Sequence, residues 1–197
     1  MQIILASANK GKVKEFKSWM RGFEVHAFSD VMEPFEIEEN GMSFKENALI
    51  KARAVYEKLK DKSSIVISDD SGISVNALEH APGIYSARYA GVGATSAQNL
   101  DKLIATLKQR GLKKAPAYYT AAIAIVCQHG EFCVHGWMFG NVIDTKRGDN
   151  GFGYDPIFVP LGHTETLGEL PESFKEQFSH RANALELAQI ILKTMKR

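Results

Sequence analysis

Residues 118 to 143 hold two long strand-like runs, Tyr118 to Gln128 and Glu131 to Ile143, separated only by a tight turn at His129-Gly130. So short a turn forces the runs to pair antiparallel. The amino-terminal segment is connected differently. Ile3 to Ala6 reads as a buried strand, Ser7 to Lys12 as a polar turn, and Val13 to Arg21 as a helix carrying Val13, Phe16 and Met20 on one face and stopped by Gly22. Phe23 to Phe28 alternates like a second strand. Strands joined sometimes by helices and sometimes by a hairpin imply a mixed sheet in an α/β or α+β layer arrangement.

Further helices open at Ser43-Phe44-Lys45-Glu46, which has capping-box spacing, and at Ser96. The first of these buries Phe44, Ala48, Ala52, Val55 and Leu59; the second carries Leu100, Leu103, Ile104 and Leu107 and closes near Gly111. Between them Ser64 to Ser68 reads as a strand ending at Asp69-Asp70-Ser71-Gly72, and Asn183 to Met195 is an amphipathic tail helix. No repeat, low-complexity tract or linker-like break divides the chain, so residues 1–197 are expected to form a single domain.

A chain of 197 residues buries ~70% of its unfolded surface. Lys+Arg 24 against Asp+Glu 23 gives a net charge of +1, which argues against a protein built to hold long nucleic acid by its phosphates. A small phosphorylated ligand needs only a local cluster of cations. The longest wholly apolar run, Ala121 to Cys127, is far short of the ~20 residues of a membrane span. With two cysteines and no signal-peptide pattern, the expected compartment is the cytoplasm.

Chemistry can sit in four places. Ser7-Ala8-Asn9-Lys10-Gly11-Lys12 leads from a strand into a helix, an arrangement that offers backbone N–H groups and lysine charge to an anion. A simple helix cap with solvated lysines would look the same. Glu36, Glu38 and Glu39 and the pair Asp69-Asp70 supply carboxylates. Neighbours on an extended strand face opposite ways, so at most one of Glu38/Glu39 and one of Asp69/Asp70 should enter a common site. Two carboxylates plus substrate phosphate oxygens suit Mg²⁺, while Asp-Ser-Gly is also ordinary turn chemistry.

The third place is Gly148 to Pro156, where three glycines let the backbone approach a ligand and Phe152 and Tyr154 straddle Gly153 as a platform for a base. The fourth is Ser179-His180-Arg181 with Lys175 four residues before Ser179; arginine can read the O6 and N7 of a 6-oxo purine, and the alternative is a helix cap at Ser179 with Arg181 as a surface charge. Cys127, His129, Cys133 and His135 resemble a zinc set by composition. A turn at His129-Gly130 nevertheless puts Cys127 on one face with Ile123, Ile125, Phe132 and Val134, and Cys133 and His135 on the other.

Taken together and in order, these pieces resemble the inosine triphosphate pyrophosphatase family. The resemblance runs through residues 7–12, Glu39-Asn40-Gly41, Ser43 to Ala48, Lys51-Ala52, Asp69 to Gly72, Ala81 to Gly91, Gly151 to Pro156 and Ser179 to Arg181. It implies a long mixed sheet dividing two α/β lobes, with substrate in the cleft between them, and usually a homodimer. It implies Mg²⁺-dependent hydrolysis of ITP, dITP and XTP to the monophosphate and pyrophosphate. By that likeness Glu38 and Asp70 match metal ligands and Asp70 also the general base. Ser7, Ala8, Asn9, Lys10, Gly11, Lys12 and Lys51 match the triphosphate grip, and Ser71 a substrate contact. Phe152, Gly153, Tyr154 and Asp155 match the base-binding loop, with Lys175, His180 and Arg181 the remaining nucleotide contacts. Asn150, Glu79-His80 and Ala182 stand where glycine is common in the family. Other readings are a pyrophosphatase for different modified nucleotides and a nucleotide-binding module without turnover.

Overall fold

Strand β1 (Gln2–Leu5) pairs in parallel with β2 (Glu24–Ala27) on one side and with β3 (Ile65–Val75) on the other. The computed structural model describes residues 2–7, 10–20 and 22–195, without the side chains of residues 10, 11, 14 and 15. Helix α1 (Lys10–Trp19) makes the crossover from β1 to β2, and α2 (Phe44–Lys58) precedes β3. After α3 (Ser96–Gln109), β4 (Lys114–Cys127) and β5 (Gly130–Ile143) form the hairpin. β6 (Phe158–Pro160) returns antiparallel to β5, and α4 (Glu172–Phe178) and α5 (His180–Met195) close the chain. The sheet is six-stranded in the order β2-β1-β3-β4-β5-β6, the mixed α/β arrangement expected.

The chain falls into two compact units: Met1–Asp70 with Ala121–Gly136 and Arg181–Arg197, and Ser71–Thr120 with Trp137–His180. In the first unit, strand alternation sorts the core onto two faces. Ile3, Leu5, Ile65, Ile67, Ile123, Ile125 and Cys127 pack with Phe16 of α1, with Met20 just after it, and with Ala184, Leu185, Ala188 and Leu192 of α5. Ile4, Val66, Ala122, Ala124 and Val126 pack with Ala48, Leu49, Ala52 and Val55 of α2. The hairpin parity is as expected, with Phe132 and Val134 against the first cluster and Cys133 against the second. In the second unit, Ile73, Val75, Tyr119 and Val142 meet Leu100, Leu103, Ile104 and Leu107 of α3, and Tyr154, Ile157 and Phe158 complete that core.

Several local readings are corrected. α1 begins at Lys10 rather than Val13. The turn of the hairpin is Gln128-His129, because Gly130, at φ 124°, already opens β5. Asp69 to Gly72 is not a turn: β3 runs through it to Val75. α3 is capped by Thr95 in a reciprocal box with Gln98, so Ser96 is its first helical residue. At α2 the box is half made. Ser43 accepts from Glu46 N–H, but Glu46 reaches back to Met42 N–H at 2.6 Å. No helix among the described residues is long and apolar enough to cross a membrane.

Candidate active site

Alternation along β3 sends its two adjacent aspartates to opposite faces, each toward the helix that packs there. Asp69 continues the row of Ile65 and Ile67 toward α1 and α5. Its Oδ2 lies 2.6 Å from Lys12 Nζ and 3.4 Å from Arg181 Nε, with its side chain wholly buried. Burial opposes the charge, but Arg181 and Lys12 outweigh it and hold the Asp69 carboxyl well below the usual carboxylate range. Arg181 is itself 4% exposed, which excludes the surface-charge reading.

Asp70 continues the row of Val66 and Ser68 toward α2. Ser68 Oγ donates to Ala48 O, and one turn beyond Ala48, Lys51 Nζ stands 3.4 Å from Asp70 Oδ1 and 2.6 Å from Glu39 Oε2. Burial pushes the Asp70 carboxyl up, and the nearby Glu39 charge adds to that against the pull of Lys51. Lys51 is held above its ordinary value because Asp70 and Glu39 outweigh its own desolvation. Glu39 reaches this cluster through Asn47, whose buried Oδ1 accepts Gly41 N–H at 2.8 Å and ties the segment to α2. A Cβ on Gly41 would collide with Asn47 and Glu46. Asn47 therefore anchors backbone, while Lys51 bears the charge. Glu38 is exposed, and its neighbour Glu39 is the one that turns to Lys51.

The donor set can be judged against a hard divalent cation. Asp70 Oδ2 is a buried carboxylate oxygen with no hydrogen-bond partner among the described residues, and its sister oxygen shares a lysine with Glu39. No group of three or more His, Cys, Asp and Glu residues arranged to hold a metal occurs among the described residues. Two carboxylates with remaining positions left to water and phosphate suit Mg²⁺ and not a fully protein-ligated metal. The residues fit that ion.

The second cluster is built on the loop from Gly148 and on α4, within the second unit. Asp155, 4% exposed, accepts at Oδ2 from Phe152 N–H at 2.9 Å and from Lys175 Nζ at 2.5 Å. Lys175 Nζ also lies 4.5 Å from the centroid of the Phe152 ring, which is 47% exposed. The platform is one ring and not two, since Tyr154 is buried in the core and its O–H donates to Ser86 O at 2.8 Å. The glycines divide as well. A Cβ at Gly148 would strike Gly168 and one at Gly151 would strike Asp155, so both make room for the protein itself. Only Gly153, at φ 65°, has open space at that point. His180 is buried and stacks on Tyr119.

Ser7 is half-buried just beyond β1, Ser71 is half-buried within β3, and Lys10 and Gly11 are backbone members of the first turn of α1. Ala8 and Asn9 lie outside the described residues. Sequence alternation brings in Asp69 only as the alternative to Asp70, without its partners Lys12 and Arg181, and no sequence signal pairs Tyr119 with Asp155.

Each unit thus carries a cluster suited to one part of a phosphorylated nucleotide: carboxylates and lysines in the first, an exposed ring beside a buried carboxylate–lysine pair in the second. The chain matches the model of the Ham1 family over residues 3–190 and belongs to that family. It is 58% identical over 195 residues to the dITP/XTP pyrophosphatase of Nautilia profundicola, covering 99% of both chains. To the protein of that name from Sulfurimonas denitrificans it is 56% identical over 199 residues, covering 99% of this chain and 100% of the other. The solved Staphylococcus aureus Ham1 protein superposes with a TM-score of 0.88 at 37% identity, over 99% of this chain and 100% of that one.

Proposed function

We propose that this chain hydrolyses deaminated purine nucleoside triphosphates (ITP, dITP and XTP) between the α and β phosphates, releasing the monophosphate and pyrophosphate and so cleansing the nucleotide pool. The observation that carries the reading is the Asp70–Lys51–Glu39 cluster. There a buried carboxylate oxygen, without a hydrogen-bond partner among the described residues, lies beside a lysine kept protonated.

Asp70 accepts the proton of the water that attacks the α-phosphorus. Lys51 and Lys12 present ammonium groups to the phosphate oxygens. The turn at residues 7–12, with Ser7, Ala8, Asn9, Lys10 and Gly11, adds backbone N–H groups, and Ser71 contacts the same portion. Asp70 and a carboxylate from Glu38-Glu39 would hold Mg²⁺, which would supply charge neutralisation and polarise phosphoryl oxygens. Glu39 is favoured over Glu38 as that second ligand because it already faces Lys51. The base lies against Phe152 and the backbone of Gly153 to Asp155, with Lys175, His180 and Arg181 completing the contacts. Donors set toward O6 accept a 6-oxo purine and oppose the 6-amino group of adenine. The protein acts as a cytoplasmic homodimer on free nucleotides, without nucleic acid or membrane as partner.

The test is pyrophosphate release from ITP, dITP and XTP against GTP and ATP, with and without Mg²⁺. Asp70→Asn is expected to lower kcat by about 10²–10⁴-fold, the range that positioned base catalysis supplies. Orthophosphate as product, ATP hydrolysed as efficiently as ITP, or near-normal turnover in the variant would overturn the assignment.

A further inference from the structure

Asp155 has internal donors on both carboxylate oxygens. Phe152 N–H and Lys175 hold Oδ2, and the O–H of Tyr119 donates to Oδ1 at 3.3 Å. So enclosed a carboxylate fixes other groups in place: the backbone of Phe152 beneath an exposed ring, and the ammonium of Lys175 beside it. Two of these donors come from the loop and from α4. Tyr119 belongs to the centre of a fourteen-residue strand, β4. It is the donor that ties the loop's carboxylate to the sheet.

The same side chain has a second task. Its ring lies flat on the imidazole of His180, with centroids 4.7 Å apart and planes 8° apart, and is wedged against Phe158 at 4.8 Å and 56°. One residue therefore fixes the height of the Phe152 loop through its O–H and the plane of His180 through its ring. Its neighbour Tyr118 faces the other way, with its O–H 3.3 Å from His80 Nδ1.

We propose that Tyr119 is a positioning residue for purine-base binding, acting through Asp155 on Phe152 and Lys175 and directly on His180. The inference rests on the proposed pyrophosphatase activity and on these residues meeting the base. Without the O–H, Asp155 Oδ1 loses a donor in a buried setting, where a hydrogen bond to a charged acceptor counts most. The carboxylate then shifts toward its remaining donors and carries the loop with it. The loss falls on contacts made equally in ground and transition states, so KM rises while kcat holds.

The experiment is steady-state pyrophosphate release from dITP with Mg²⁺ by wild type, Tyr119→Phe, Tyr119→Leu and the matched control Tyr118→Phe, with thermal unfolding of each. Tyr119→Phe is expected to raise KM about tenfold with kcat within about twofold and the unfolding midpoint within a few degrees of wild type. Tyr119→Leu, which also removes the stack on His180, raises KM further, and Tyr118→Phe leaves both constants unchanged. Because Tyr119 and Lys175 act through one carboxylate, the KM increases of Tyr119→Phe and Lys175→Met should fall short of multiplying in the double variant. A Tyr119→Phe enzyme with wild-type KM, a loss confined to kcat, or fully multiplicative effects would overturn the role of Tyr119. A wild-type protein that releases no pyrophosphate from dITP would instead overturn the functional reading beneath it.

Discussion

Asp69→Asn isolates the ionic node on which the first unit closes. The native carboxylate faces Lys12 Nζ at 2.6 Å and Arg181 Nε at 3.4 Å, and its side chain is wholly buried while those of the cations are 18% and 5% exposed. At an effective dielectric of ~20 these separations correspond to gross attractions of ~6 and ~5 kcal/mol, most of which offset the cost of removing three charges from water. Asparagine keeps the shape and one acceptor oxygen, so no cavity forms, yet two cations lose their counter-charge. Removing one partner of a buried pair costs about 3–5 kcal/mol, which is the loss expected at pH 7. The dependence on pH has a definite sign. Because folding depresses the Asp69 pKa, its stabilisation is complete above the unfolded value of ~3.9 and is lost as pH falls toward the folded value. The variant has no such group to titrate, so its deficit should be about 1 kcal/mol smaller at pH 3 than at pH 7. Denaturant unfolding of both proteins at pH 7, 5 and 3 measures this directly. A deficit under about 1 kcal/mol at pH 7, or one that does not narrow between pH 5 and pH 3, would refute the reasoning.

Three further outcomes follow from particular contacts. Glu39→Gln should lower kcat/KM and weaken Mg²⁺ dependence more than Glu38→Gln does, because Glu39 is the carboxylate on Lys51; equal effects in a Mg²⁺ titration would return the metal role to Glu38. Gly151→Ala, at φ 78° and with a Cβ that would strike Asp155, should cost more than about 2 kcal/mol of stability and raise KM, checked by calorimetry and kinetics. Glu79→Gly should stabilise the protein by up to about 1 kcal/mol in denaturant unfolding, since Glu79 holds φ 53° on the surface with only a side chain to lose.

That last position shows how sequence and structure inform one another. Glu79-His80 stands out as a departure from a common glycine pair, and both residues do adopt positive φ, 53° and 66°. The backbone has kept the glycine conformation without the glycines. Elsewhere, the readings that failed did so where local chemistry served two ends. Asp-Asp-Ser-Gly looks like a turn because its residues favour turns. It remains strand because Asp69 and Asp70 each find cations on the helix that covers their face. Gly148 and Gly151 look like room for a ligand and are room for Gly168 and Asp155, a distinction that depends on segments about twenty and four residues away.

The sequence by itself determined the mixed sheet, the buried faces of the first three helices and of the long hairpin, and the ordered motifs of the family, but not β6 or α4. Those properties follow from short-range periodicity and from the stereochemistry of turns, which act within a few residues. Only the tertiary structure decided which of two adjacent carboxylates meets which cation, that Glu39 turns to Lys51 while Glu38 faces outward, and that Tyr119 braces both Asp155 and His180. Such pairings depend on the register and approach of elements far apart in the chain. A difference of one residue in register, invisible to local pattern, exchanges a buried partner for an exposed one.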